Sequence, residues 1–187
     1  MVLLPDKAAV FIDGGYAKVR KQLGFSQKDV DYAVFSDKLC RSCERFRTYY
    51  YDCMPYKDAM PSSDDENRYK QKQRFIESLR YLDRFEIRLG HLLKVNATDF
   101  KQKGVDIQLS IDLTRLCWQD KVEMVILVTA DTDFIPAIQE AKNAGVTAVL
   151  AYCPNMNKPI SKALYQICDE RLEITANFLN GCVKATA

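Results

Sequence analysis

Hydrophobic and polar positions follow two regimes along this chain. Short runs are apolar at nearly every position, as in Ala8-Ala9-Val10-Phe11-Ile12, Val122 to Thr129 and Thr147 to Tyr152. Between them lie stretches in which apolar residues recur every three or four positions. The first pattern reads as strands buried on both faces, the second as helices that cover them. Helices are predicted over Tyr32 to Arg45, Arg68 to Asp83 (with Phe75, Ile76, Leu79 and Leu82 on one face), Gly104 to Trp118 and Thr132 to Ala144, and further strands over Phe46 to Met54 and Phe85 to Leu92. Pro136 falls in the first turn of its helix, where the missing N–H is tolerated, and Gly145 stops that helix. Residues 55–67 contain Pro, Ser-Ser and Asp-Asp-Glu and are expected to form a mobile loop. The alternation predicts an α/β protein: a three-layer α/β/α sandwich around a central, mostly parallel sheet. With no internal repeat and no linker, residues 1–187 are expected to form a single domain.

Composition narrows the class without naming a function. At 187 residues and 48% hydrophobic content the chain can fill one core, and 13 Gly plus Pro are too few for a disordered or fibrous protein. No run of about 18 apolar residues is present, and MVLLPDK is too short an apolar stretch for a signal peptide, so a cytoplasmic protein without a membrane partner is expected. Seven cysteines are an odd number, which speaks against a closed disulfide framework. Cys40 and Cys43 form a lone CxxC. Cys53 and His91 lack the spacing of a second ligand pair, so core thiols are expected rather than a zinc site.

The chemistry-bearing residues are carboxylates. Ligands of an open parallel sheet bind beyond the carboxyl ends of its strands. Asp13 follows the first strand directly. Asp131 follows the strand ending at Thr129, and Asp133 begins the next helix. Asp106 sits in the first turn of a helix that must start at that same edge, on the arc of Val105, Leu109, Leu113, Leu116 and Cys117. Asp112 falls with Gln108, Arg115 and Gln119 on what reads as the polar side. Singly, such aspartates cap helices or shape turns. Jointly, four carboxylates at one mouth repel one another unless a cation holds them, and an all-oxygen set suits Mg²⁺ or Mn²⁺. Such an ion can activate water and neutralise charge on a phosphate, so metal-dependent phosphodiester cleavage is the chemistry that fits.

Three segments carry a resemblance: Phe11-Ile12-Asp13-Gly14-Gly15-Tyr16; Lys103-Gly104-Val105-Asp106 with Asp112-Leu113; and Val128-Thr129-Ala130-Asp131-Thr132-Asp133-Phe134-Ile135-Pro136. In this order they resemble the signatures of the NYN domain family of the PIN-like nuclease superfamily, over about Ala8 to Asp169. The resemblance implies a PIN-like sandwich and a Mg²⁺- or Mn²⁺-dependent ribonuclease site, with Asp13, Asp106, Asp131 and Asp133 at the acidic metal-binding positions. Family members often carry Asn shortly after the first Asp, where this chain has Gly14-Gly15-Tyr16. They commonly have Ser-Gly before the paired aspartates, where this chain has Thr129-Ala130.

Charge adds either a substrate surface or a solvated basic helix face, with Lys103 either a phosphate contact or a solvated loop lysine. The net charge is only +2, but residues 67–88 hold seven basic and three acidic side chains. Arg68, Lys70, Lys72 and Arg74 on the predicted helix, and Lys103 beside Asp106, are the candidate RNA contacts. Tyr49, Tyr50, Tyr51 and Tyr69 either stack on unpaired bases or pack inward as strand aromatics do. The leading expectation is therefore a metal-dependent endoribonuclease for single-stranded RNA. The alternative is a weakly active or inactive RNA-binding module on the same fold, which the missing Asn favours. A phosphohydrolase of the haloacid-dehalogenase type wants a second Asp two residues after the first, where this chain has Gly15. An exposed apolar helix face would leave room for a homo-oligomer.

Overall fold

The computed structural model describes residues 6–26, 29–56, 60–94, 100–154 and 159–184. The runs apolar at every position form the middle of a sheet: β1 (Lys7–Asp13), β5 (Met124–Val128) and β6 (Thr147–Tyr152). Around them stand β2 (Glu44–Cys53), β3 (Phe85–Lys94), β4 (Phe100–Lys103) and β7 (Glu170–Glu173). The strand order is β4-β3-β2-β1-β5-β6-β7, and every pairing is parallel except that of β3 with β4.

Side chains alternate across this sheet into two cores, as a pleated strand requires. On one face Val10, Ile12, Tyr50, Ile126, Val128 and Val149 meet α1 (Tyr32–Cys40), α2 (Ser63–Arg80) and α6 (Ala176–Asn180). On the other, Ala9, Phe11, Tyr49, Tyr51, Leu127 and Leu150 meet α3 (Val105–Trp118), α4 (Ile135–Asn143) and α5 (Lys162–Ile167). This is the α/β/α sandwich. The three tyrosines of β2 are all buried, alternating between the cores, and so offer no stacking surface for bases.

From β1 the chain winds outward through β2 and β3, then returns to the other side of β1 as β5 and winds outward again through β6 and β7. The reversal puts a switch point between β1 and β5, where side chains beyond the strand ends splay to opposite faces and leave a crevice.

Two boundaries differ from expectation for local reasons. The helix predicted to reach Arg45 ends at Cys40, because Arg41 turns the chain at φ 56°, and β2 starts by Glu44. The loop expected over residues 55–67 gives way to α2 at Ser63. Ser62 accepts from the Asp65 backbone N–H while the Asp65 carboxylate accepts from the Ser62 N–H. This reciprocal cap turns a loop-like composition into a helix start. Residues 57–59 of that expected loop lie outside the described residues. β4 lies in what reads as polar loop. It forms an antiparallel hairpin with β3 (His91 opposite Lys103, Lys94 opposite Phe100), which delivers α3 back to the carboxyl edge. A Cβ at Gly90, opposite Cys53, would collide with Val105 and the Lys103 carbonyl, so glycine lets the first turn of α3 rest directly on the sheet.

Candidate active site

The crevice is built around the hydroxyl of Thr129, just beyond β5. That buried hydroxyl donates to Oδ2 of Asp13 (3.3 Å) and accepts from the Asp131 backbone N–H (3.1 Å), which ties the ends of β1 and β5 together. Asp13 Oδ1 accepts from the Gly15 N–H at 2.8 Å, and Asp131 Oδ1 accepts from the Asp133 N–H at 2.9 Å. Asp131 is thus the cap of the 3-10 turn Thr132–Phe134. Of the single-residue roles that aspartates near helix starts commonly fill, the cap falls to Asp131 and not to Asp133 or Asp106.

Two of the four carboxylates, Asp13 and Asp106, are held above their ordinary range. Burial holds the Asp13 carboxyl above its ordinary range against the pull of the Gly15 and Tyr16 N–H groups and the Thr129 hydroxyl, and the charge on Asp106 pushes the same way. Asp106, exposed in the first turn of α3, is raised by desolvation and then by the charges of Asp131 and Asp133. Three distant segments, the end of β1 (Asp13), the start of α3 (Asp106) and the turn after β5 (Asp131 and Asp133), therefore come within electrostatic reach at one mouth. Among the described residues none of the four forms an ion pair with Lys or Arg. Nor, among those residues, does any group of three or more His, Cys, Asp or Glu side chains stand as a ready-made ligand set. Mg²⁺ commonly takes one or two carboxylates and keeps its waters for substrate phosphate. Asp13 and Asp131, flanking one hydroxyl with no cationic partner, fit that demand by number and chemistry.

Asp112 does not join them, and it does not lie on the polar side of α3. It is buried, accepting from the Tyr51 hydroxyl (3.1 Å), Arg88 Nε (3.0 Å) and Arg115 (2.7 Å). An arginine from β3 and a tyrosine from β2 draw it inward, and the helical repeat of α3 alone contains neither.

Asp52, at the end of β2, went unnoticed in the sequence. It is only 4% exposed on its side chain, yet it pairs with Lys72 of α2 (15% exposed) and accepts from the Tyr50 hydroxyl and the Cys53 N–H. Its carboxylate occupies the space a Cβ on Gly14 would take, and the Gly14 N–H donates to the Tyr51 carbonyl at 2.7 Å. Two positions of Gly14-Gly15-Tyr16 are therefore accounted for. Gly14 makes room for Asp52, and the Tyr16 hydroxyl accepts from the Cys153 N–H beyond β6.

The candidate RNA contacts separate. Lys72 is turned inward to Asp52 and is not available as an exposed base. Arg68 pairs with Asp65 and Lys70 with Glu66 along the solvent side of α2, while Arg74 is exposed. Burial on α2 begins only at Ile76, so Arg68 and Lys70 ride on a first half that covers little of the sheet. Lys103, the last residue of β4, is exposed two residues before α3. The described cysteines are free. Cys40 is wholly buried, which pushes its thiol up to about 12, and Cys43 is partly buried.

An open cleft of about 540 Å³ runs from Asp13 and Asp131 along Gly15, Tyr16, Lys18, Gln22, Pro159 and Ser161. The NYN domain pattern matches residues 7–175, nearly the whole chain. The chain belongs to the NYN domain family. NYN domains are part of the PIN-like nuclease superfamily, whose members generally use divalent metals. An uncharacterised protein of Methanocaldococcus jannaschii is 30% identical to this NYN domain over 92 residues, which is 49% of this chain and 35% of that protein. The match thus spans about a third of that relative's length. In fold, the NYN domain is similar to the crystal structure of a protein of unknown function from Vibrio parahaemolyticus. The TM-score is 0.66 at 16% identity, covering 98% of this chain and 99% of that one.

Proposed function

We propose that this NYN domain is a metal-dependent endoribonuclease that cuts single-stranded RNA, with Asp13, Asp106, Asp131 and Asp133 around a Mg²⁺ or Mn²⁺ ion. The observation that carries the reading is the approach of four carboxylates at the switch point of a parallel sheet, where the charge of Asp106 raises Asp13 and those of Asp131 and Asp133 raise Asp106, with no Lys or Arg ion-pair partner among the described residues. When bound, such a cation lowers the pKa of a water and neutralises charge building on the phosphate. The chain's own contribution is orientation. The Gly15 N–H and the Thr129 hydroxyl hold the two oxygens of Asp13, and the Asp133 N–H holds Asp131, so both carboxylates are fixed before substrate arrives. Lys103 offers an ammonium for phosphate beside Asp106, and Arg68, Lys70 and Arg74 offer a more distant basic flank.

RNA binding without cleavage is the second reading, favoured by the lack of a ready-made set of three ligands among the described residues. Labelled single-stranded RNA incubated with the protein and Mn²⁺, with and without chelator, separates the two. Cleavage that stops in chelator and in Asp13→Asn and Asp131→Asn, each with an unchanged circular dichroism spectrum, is the expected result. Retention of intact RNA by the parent protein would favour the second reading, and undiminished cleavage by either variant would overturn the first.

A further inference from the structure

The 3-10 helix Tyr16–Leu23 begins three residues after Asp13 and forms one wall of the cleft. Gly15, Lys18 and Gln22, spaced three and four apart, turn to the cleft, and Ser161, ahead of α5, faces them with Pro159. Lys18 is exposed and, among the described residues, forms no ion pair. Most bases of α2 differ: Arg68, Lys70 and Lys72 each hold a carboxylate of their own chain, and only Arg74 is exposed without an ion pair among the described residues. One ammonium thus stands in the same concavity as Asp13 and Asp131.

We infer that Lys18 is the phosphate-positioning residue within the cleft, in addition to Lys103 at its Asp106 side, and that the RNA strand enters across the 3-10 helix, between Gln22 and Ser161, with α2 no more than a distant flank. The inference rests on the ribonuclease reading above. An ammonium is a compact point charge with three donors, suited to one non-bridging phosphate oxygen. Carboxylates at one end of the cleft gather a cation, and Lys18 offers the complementary charge for the phosphate that the cation would face or for its neighbour. The cleft volume falls within the range of single-ligand pockets, enough for about one nucleotide. The Gln22 amide and the Ser161 hydroxyl are neutral donors and acceptors, the chemistry that meets a ribose 2′-hydroxyl or a base edge.

The experiment measures RNA affinity by fluorescence anisotropy in the full chain carrying Asp131→Asn, with Mn²⁺ and a short labelled single strand, and steady-state cleavage in the otherwise unaltered protein. Lys18→Gln is expected to weaken binding about tenfold, the low end for a hydrogen bond to a charged group. It should also lower the slope of log affinity against log salt by about 0.7, the mark of one lost phosphate contact on a single strand. In cleavage it should raise KM and leave kcat within about twofold. Lys18→Arg should restore most of the affinity and the full salt slope. Lys121→Gln, at the opposite edge of the sheet before β5, should change nothing. An unchanged salt slope in Lys18→Gln, or an equal loss in Lys18→Arg, overturns the assignment of Lys18 while leaving the nuclease intact. A parent protein that neither binds nor cuts RNA overturns the underlying reading and this inference with it.

Discussion

Gly14 is the residue at which local and tertiary demands meet most tightly. It follows Asp13, it lies against the Asp52 carboxylate, and its N–H is held by the Tyr51 carbonyl. Gly14→Ala is expected to lower stability by about 1–3 kcal/mol, the range for overpacking, and to shift Asp13 enough to reduce cleavage. Urea unfolding followed by tryptophan fluorescence, alongside an RNA assay, checks both. Asp52 and Lys72 make a companion prediction. Removing one member of a buried pair strands the other, so Asp52→Asn should cost about 3 kcal/mol, whereas the double change Asp52→Asn with Lys72→Met should recover part of it. A double-mutant cycle in urea reads the coupling, and strict additivity would show that the pair contributes nothing.

Among elements, α2 starts at a reciprocal cap in which one partner, Asp65, is titratable. Asp65 is held below the usual carboxylate range by the Ser62 hydroxyl and by Arg68. A group whose folded pKa is depressed contributes stability above its unfolded pKa, and that stability is lost as pH falls through the folded value. Protection of the first-turn amides of α2 in hydrogen exchange should therefore fall as the medium is acidified below the ordinary carboxylate range. Ser62→Ala should remove about 1 kcal/mol from helix α2 at neutral pH. The same element shows why sequence reading stopped short. Ser62, Ser63, Asp64 and Asp65 look like loop by composition, while the spacing of Ser62 to Asp65 already spells a reciprocal cap. β1, β5 and β6 were legible because strands buried on both faces must be apolar throughout. Asp13, Asp131 and Asp133 were legible because they stand directly after such strands. β4, Asp52 and the inward turn of Asp112 were not. Each depends on a partner from a distant segment (β3, Lys72 and Arg88), and no local periodicity encodes a partner.

For the whole molecule, the near-neutral total conceals an acidic mouth with Lys18 along its cleft and a basic but largely self-paired α2. A cation that binds only the folded state must raise the melting temperature. With Mn²⁺ at about a hundred times its dissociation constant, the gain is about 2.7 kcal/mol, or roughly 5–10 °C for a chain of this size. Calorimetry should show this rise in the parent protein and its loss in Asp13→Asn. Equal melting temperatures with Mn²⁺ and with chelator would mean that the carboxylates hold no ion. Among the described residues no helix is long and apolar enough to cross a membrane.

The strand order also sets a timetable. β1 is made first, but its second neighbour, β5, is encoded more than a hundred residues later. Until β5 arrives, β1 is an edge strand with apolar side chains on both faces, the kind of edge that invites pairing with other chains. A chain emerging from the ribosome therefore carries Asp13 and Asp106 without Asp131 and Asp133. The insertion that removes its most adhesive edge is the same event that completes the mouth.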